Sequence, residues 1–325
     1  MSLLTQINNV FSKKQPEQLI GIALQQESIT LCALPAVVTA ALAEKDSPQS
    51  DDVPRANFQK VKVNQIDYSS AIIELQKNSD LAGKCHIVLN AQQSQIVQVD
   101  KPNVPTAEIN GALKWQIRDL VSIPPENMVL DYFNGPVLAG GKEKINVVCS
   151  PLNELKKIVA SVNQSEMDVA SITIEEFAFA NLLPTQSDAC LLVCQQPNEE
   201  IVLLIVKQGK MYFTRRLRGF NQIANKTEDE LTMTVIDNLA LEIQRSSDYF
   251  ERQLKQAPIK DIKVLLPIKA EAFFARKLAE NTHIPVTLLA MPAAYQEQRE
   301  YAAAIGATMY DARVDEQAQE FMNVS

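Results

Sequence analysis

The sequence predicts an α/β fold of two similar lobes. Two observations lead there. An order of hairpin or meander, helix, strand and helix occurs twice, across residues 17–188 and again across 189–310. Strands alternating with helices in this way form open α/β layers. The chain of 325 residues, 46% of them hydrophobic, is also long enough for two lobes, each with a core.

In the first unit, Leu19–Leu24 and Ser28–Leu34 read as a hairpin. Residues 43–57 carry Asp46, Pro48, Asp51, Asp52 and Pro54 and read as a polar loop. A helix over 66–76 and strands over 85–89 and 95–99 follow. Next comes the most distinctive stretch, residues 112–133, which holds the only tryptophan. Pro105, Thr106 and Glu108 start a helix, and Ile109, Leu113, Ile117, Leu120 and Val121 continue it at helical spacing. Pro124 and Pro125 are expected to end it, because the residue before a proline is pushed out of the α region. Residues 128–133 then read as a strand. Trp115 is expected to pack into the core, as most aromatics do. Strand 144–149, helix 152–162, strand 168–174 and helix 175–182 complete the unit.

The second unit opens on three strands, 189–194, 201–207 and 210–217, the last two joined by Gln208-Gly209. A long helix over 227–256 carries Leu231, Val235, Leu239, Ile243, Tyr249 and Phe250 on its apolar face. Glu228, Asp229 and Glu230 stand in its first turn, where the helix dipole favours acids. Strand 262–266, helix 270–281, strand 286–289 and helix 297–308 follow. Outside the two units, residues 1–16 hold an amphipathic segment, either packed on the body or touching a partner or membrane. Residues 311–325 form an acidic tail.

Composition excludes several classes. The net charge of −8 argues against a nucleic-acid partner. No apolar run reaches the roughly 18–20 residues of a membrane span, and residues 1–14 lack a secretory h-region. Cys32, Cys85, Cys149, Cys190 and Cys194 are scattered through apolar runs, as reduced, buried thiols would be. Cys190 and Cys194 fit metal-ligand spacing poorly, and the only histidines, His86 and His283, are distant, so no metal is expected. No paired carboxylates, nucleophile–base pair or other catalytic constellation is visible, and no catalytic residue is assigned. Only 9 glycines are present, few for a chain that would cradle phosphates.

Two similar α/β lobes suggest the duplicated, ribonuclease H-like architecture of the actin and sugar-kinase group. Within it, the chain resembles the PilM family, the cytoplasmic actin-like proteins of type IV pilus assembly. Trp115, Ile123-Pro124-Pro125 and Leu130-Asp131-Tyr132 match that family's helix-to-strand segment. Residues 241–250 (LEIQRSSDYF) are similar to its long helix, and residues 299–308 (REYAAAIGAT) to its closing helix with Ala-x-x-x-Gly. The order of elements agrees over about 17–310, and the MshI branch, serving the mannose-sensitive haemagglutinin (MSHA) pilus, is most similar. The resemblance implies a sub-domain inserted in the first lobe at about 84–150.

The departures are informative. ATP-binding members open the first lobe with Asp-Ile-Gly-Ser, where this chain has Ile22-Ala23-Leu24-Gln25. They open the second with Val-Asp-Ile-Gly, where it has Val193-Cys194-Gln195-Gln196. The later Gly-Gly is replaced by Pro267-Ile268-Lys269 after Val264-Leu265-Leu266. A Cβ obstructs backbone approach to phosphate, and Mg²⁺ beside phosphates needs a carboxylate. The turns at Ala23, Gln25, Cys194 and Gln196 are thus degenerate, and the chain is expected neither to bind nor to hydrolyse ATP.

The resemblance leaves partner docking as the expected function. The family docks the cytoplasmic N-terminal peptide of a PilN-like inner-membrane protein between the first-lobe core and the insert. Ile87, Leu89, Ile96, Val97, Leu113, Ile117 and Leu120 are the candidate walls, each equally suited to core packing. Arg215-Arg216-x-Arg218 reads as a solvated strand end or as a contact for an acidic partner or anionic lipid. The expectation is a non-enzymatic scaffold peripheral to the inner membrane, held there through its partner and coupled to the pilus motor ATPase. The rival readings are an ATP-binding member of the same group and the cytoplasmic region of a GspL-type secretion protein. The latter is normally followed by a membrane span, which is not seen after the acidic tail.

Overall fold

The computed structural model describes residues 18–35, 56–63, 67–135, 143–292 and 295–310. The amphipathic segment 1–16, the acidic tail 311–325 and most of the polar loop 43–57 lie outside them.

Two five-stranded sheets share one plan. In the first lobe, β1 (Gln18–Leu24), β2 (Ser28–Pro35), β3 (Asn57–Lys62), β4 (Ala82–Leu89) and β8 (Glu166–Ile174) run in the order β3-β2-β1-β4-β8. In the second, β9 (Cys190–Cys194), β10 (Ile201–Lys207), β11 (Lys210–Leu217), β12 (Asp261–Leu265) and β13 (Val286–Leu288) run β11-β10-β9-β12-β13. In both, the first three strands pair antiparallel and the last two join parallel. Their near-continuous apolar sequences, such as buried CLLVC in β9, suit strands covered on both faces.

Between β4 and β8 the chain builds a separate antiparallel sheet from β5 (Gln95–Asp100), β6 (Met128–Asn134) and β7 (Lys144–Pro151), in the order β5-β7-β6. Helix α2 (Ile109–Gln116) covers it, and Leu113, Ile117, Ile123, Ile145 and Val147 form its own core. Helices α1 (Tyr68–Lys77) and α3 (Leu152–Val162) cover the first-lobe sheet, with Ile72, Leu75 and Ile158 facing β1 and β4.

Three details depart from the sequence reading. Strand β3 begins where the polar loop was expected to end; its lysines and thin apolar pattern suit an edge strand. Helix α2 stops at Gln116, well before the prolines, because the next turns fold beneath the sheet to bury Ile117 and Ile123, and Gln95 Oε1 accepts the Ser122 N–H at 3.1 Å. Trp115, in the last turn of α2, faces solvent and is 65% exposed rather than packed.

The long helix α5, residues 228–253, opens with a capping box in which Thr227 and Glu230 satisfy each other's backbone N–H groups. It contains two π-helical segments, Thr232–Ile236 and Tyr249–Gln253. The Gln208-Gly209 turn has φ of 52° and 67°, the left-handed pair that a tight hairpin requires.

The lobes meet at a waist of two short helices, α4 (Glu175–Asn181) and α7 (Ala302–Thr308); among the described residues a further helix, α6 (Glu271–Asn281), covers the second sheet. Although α7 closes the second unit in sequence, it packs on β1 of the first lobe and against α4. A Cβ added at Gly21 would collide with the Ala304 carbonyl, and one at Gly306 with the Ala178 carbonyl. The Ala-x-x-x-Gly spacing therefore lets α7 wedge between β1 and α4. All five cysteines are buried and free. Burial pushes the Cys85 thiol up to about 12 and Cys149 to about 11, and thiol reactivity follows the thiolate. Native protein is expected to resist a disulfide reagent at pH 8 and to release all its thiols in guanidinium; rapid native labelling would refute this.

Candidate functional site

The space between the lobes is bounded by the β1–β2 turn and the β9–β10 turn, the sites of the expected degeneracy. Ala23 and Cys194 are fully buried strand residues there, and Gln25 and Gln196 are buried beside them. Gln25 accepts from Ser28 Oγ at 2.6 Å and donates to the Glu300 carbonyl at 3.1 Å. Its backbone carbonyl accepts from the Tyr68 hydroxyl at 3.0 Å. The Gln26 N–H, the kind of turn donor an anion would use, donates instead to Glu199 Oε1 of the second lobe at 2.8 Å. Asn90 Nδ2 donates to the same oxygen at 3.2 Å. In the opposite direction, Gln196 Nε2 donates to the Leu24 carbonyl at 3.2 Å and to Glu175 Oε2 at 2.7 Å. The two turns are cross-linked by their own side chains.

Below them, Arg216 of β11 pairs with both Glu175 and Glu176 at the start of α4, the latter at 2.9 Å. Two buried carboxylates pair with this guanidinium, and a third, Glu199, lies within its electrostatic reach. Burial, then the neighbouring Glu175, pushes Glu176 up to about 7 and Glu199 up to about 8. Burial works against the charge of Arg216, but Glu175 and Glu176 hold its pKa above the ordinary arginine value. This cluster corrects the expectation that no carboxylates stand together. The signal was present in sequence: Glu175-Glu176 interrupts the apolar run ITIEEFAFA, where unpaired charge is costly. Glu199 carried no such signal, because a turn glutamate looks solvated. Arg216 is also neither of the things expected of its cationic run. It turns inward, whereas Arg215 pairs with Glu242 at 2.8 Å and Arg218 stays exposed.

A groove of about 660 Å³ lies between the insert and the second lobe. Ile96, Val97 and Leu120 line it, and Leu120 is 59% exposed. The other candidate walls fall elsewhere. Ile87 and Leu89 are buried in the first-lobe core, and Leu113 and Ile117 in the core of the insert. The opposite wall, missed in sequence, is β11 with Tyr249, whose ring lies 5.5 Å from that of Phe213. A cavity of about 640 Å³ continues past the end of β11 and is lined by Arg218, Lys226, Glu242 and Arg245.

The duplicated sheets, the inserted sheet and the cleft between lobes define an actin-like fold. Solved structures with that architecture are similar across most of their length. The PilM–PilN type IV pilus biogenesis complex matches at a TM-score of 0.62 and 13% identity, over 90% of this chain and 98% of that one. A Bacteroides thetaiotaomicron protein with an actin-like ATPase fold matches at 0.50 and 7% identity, over 84% and 91%. The cytoplasmic domain of EpsL, an inner-membrane component of the Vibrio cholerae type II secretion system, matches at 0.46 and 13% identity, over 77% and 82%. No protein-family model and no curated protein matches the chain. No described helix is long and apolar enough to cross a membrane.

Proposed function

We propose that this chain is a non-enzymatic scaffold of type IV pilus biogenesis, of the MSHA type, that docks the cytoplasmic N-terminal peptide of a PilN-like inner-membrane protein. It is held at the inner membrane through that partner and links it to the pilus motor ATPase. The observation that carries the reading is the Gln26 N–H donating to Glu199. The turn that would meet a phosphate already holds a carboxylate of the same chain, and replacing it requires a buried acid to lose its partners. The absent turn glycines and acids point the same way. The similarity to the PilM–PilN complex supports the choice of partner, and the exposed groove supplies a place for a peptide.

Isothermal titration with Mg-ATP is expected to give no heat of binding up to millimolar nucleotide. Micromolar affinity would sink the pseudo-ATPase reading. A synthetic N-terminal cytoplasmic peptide of the cognate PilN-like protein is expected to bind at tens of micromolar or tighter. Absence of binding would count against the docking reading.

A further inference from the structure

The two lobes are joined in two ways. At the waist they share an apolar core, in which Ala23 and Val88 of the first sheet and Cys194 and Leu204 of the second pack with Phe179 of α4 and Ala304 of α7. The second junction is polar, and the β9–β10 turn makes most of it. Gln196 Nε2 donates to the Leu24 carbonyl at 3.2 Å. Asn198 Nδ2 donates to Glu27 Oε2 at 3.2 Å. Glu199 Oε1 accepts from the Gln26 N–H at 2.8 Å and from Asn90 Nδ2 at 3.2 Å. Three residues of one short turn thus reach across to the first lobe, and two of them, Gln196 and Glu199, are buried there.

Each half of this junction is braced within its own lobe. In the second lobe, the Gln196 carbonyl accepts the Glu199 N–H at 3.1 Å. Between them Asn198 has a φ of 60°, a left-handed conformation that asparagine tolerates better than most residues. Gln195 Nε2 donates to the carbonyls of both Glu199 and Phe220, and Glu200 accepts the N–H groups of Gly219 and Phe220 at 3.0 and 2.7 Å. In the first lobe, the Ser28 carbonyl accepts the Gln25 N–H at 2.8 Å. Asn90 Oδ1 accepts the Gln92 N–H at 2.8 Å, which aims the Asn90 amide group at Glu199.

We infer that the β9–β10 turn is a latch that holds the lobes in one closed arrangement through the chain's own side chains, so that closure is built into the folded state and needs no nucleotide. This goes beyond the scaffold reading and does not depend on which partner docks. Closure of two-lobed proteins is commonly driven by a ligand that touches both sides. Here a carboxylate of the second lobe makes the bridging contact, with a charge-assisted bond to a first-lobe N–H. The consequence falls on surfaces built from both lobes. The groove walled by the insert and by β11 is held at one width, and a partner meeting both walls finds them preorganised.

The test uses the full chain with nitroxide labels on cysteines placed at Glu74 of α1 and Met233 of α5. Both positions are exposed, whereas the native cysteines are buried. Wild type is expected to give one narrow interlobe distance, unchanged by millimolar Mg-ATP. Glu199→Gln keeps an acceptor for Gln26 and Asn90 and should match it. Glu199→Ala should broaden and lengthen the distance and speed exchange of the Gln26 amide about tenfold or more, while amides of β4 and β9 stay protected. Asn198→Asp provides a second variant at an exposed position. It sets like charges against Glu27 and should broaden the distance in the same way, and adding Glu27→Lys should restore it. Wild-type distances and wild-type Gln26 exchange in both Glu199→Ala and Asn198→Asp overturn the latch and leave the pseudo-ATPase reading intact. A broad wild-type distribution that narrows with Mg-ATP overturns both.

Discussion

Gly306→Ala is expected to lower stability by about 3–5 kcal/mol, the upper range for a single substitution. The new Cβ would collide with the Ala178 carbonyl. That obstacle is backbone rather than the end of a flexible side chain, so relief requires α4 or α7 to move. Neither has room: α7 is buried along its whole length and is also pressed on β1 at Gly21. Gly21→Ala is expected to cost a comparable amount. The two should combine less than additively, because both displace the same helix. Gly111→Ala is the control. Nothing lies within 4 Å of the added Cβ in α2, and alanine there should be neutral or stabilising by up to about 1 kcal/mol. Urea unfolding of the three variants checks this. A Gly306→Ala protein as stable as the Gly111→Ala protein would mean that the waist is not packed as described.

Arg216→Met is expected to cost about 3–5 kcal/mol at pH 8, because removing one member of a buried ion cluster leaves the others uncompensated. Glu175 and Glu176 would then face each other in a dry site. Adding Glu175→Gln and Glu176→Gln should recover most of the loss, since the penalty belongs to unpaired charge rather than to lost packing. The wild-type protein carries a related pH dependence. Glu176 and Glu199 are raised from 4.5 to about 7 and about 8, chiefly by burial. The folded state therefore binds more protons than the unfolded one across that interval. The associated stability is full below about pH 4.5 and is lost as pH rises through the folded-state values. Unfolding free energy should fall between about pH 4.5 and pH 8, by at most about 1.4 kcal/mol per pH unit for each group. Glu199→Gln should flatten that slope, and Arg216→Met should steepen it. Stability that rises across this range in wild type would contradict the burial of these acids.

Much of the fold was legible because each element carries its own periodicity. The helix at Leu152–Val162 and the strands at Ile201–Lys207 and Lys210–Leu217 lie where the apolar pattern and turn residues put them. Other features depend on distant partners. Strand β3 is defined by its pairing with β2, and its sequence alone is too polar to announce it. Ile117 and Leu120 fit one helical stripe on paper, but the chain leaves the helix after Gln116 and buries Ile117 while Leu120 stays exposed. Of the candidate groove walls, Ile87, Leu89, Leu113 and Ile117 fill cores, whereas Ile96, Val97 and Leu120 line a groove between the insert and the second lobe, a different one from the groove between insert and first-lobe core for which they were candidates. An apolar side chain carries no mark of which it will do.

By itself, the sequence determined the duplicated α/β plan and the absence of glycine and acid from the two turns, because both are local properties of residue type and spacing. Only the tertiary structure decided what stands in their place. Glu199 reaches Gln26 across 173 positions of chain, Arg216 reaches Glu175 and Glu176, and strands far apart in sequence, β5 and β11, come to line one groove. Such meetings are fixed by how the lobes pack, and packing joins residues that no spacing rule connects.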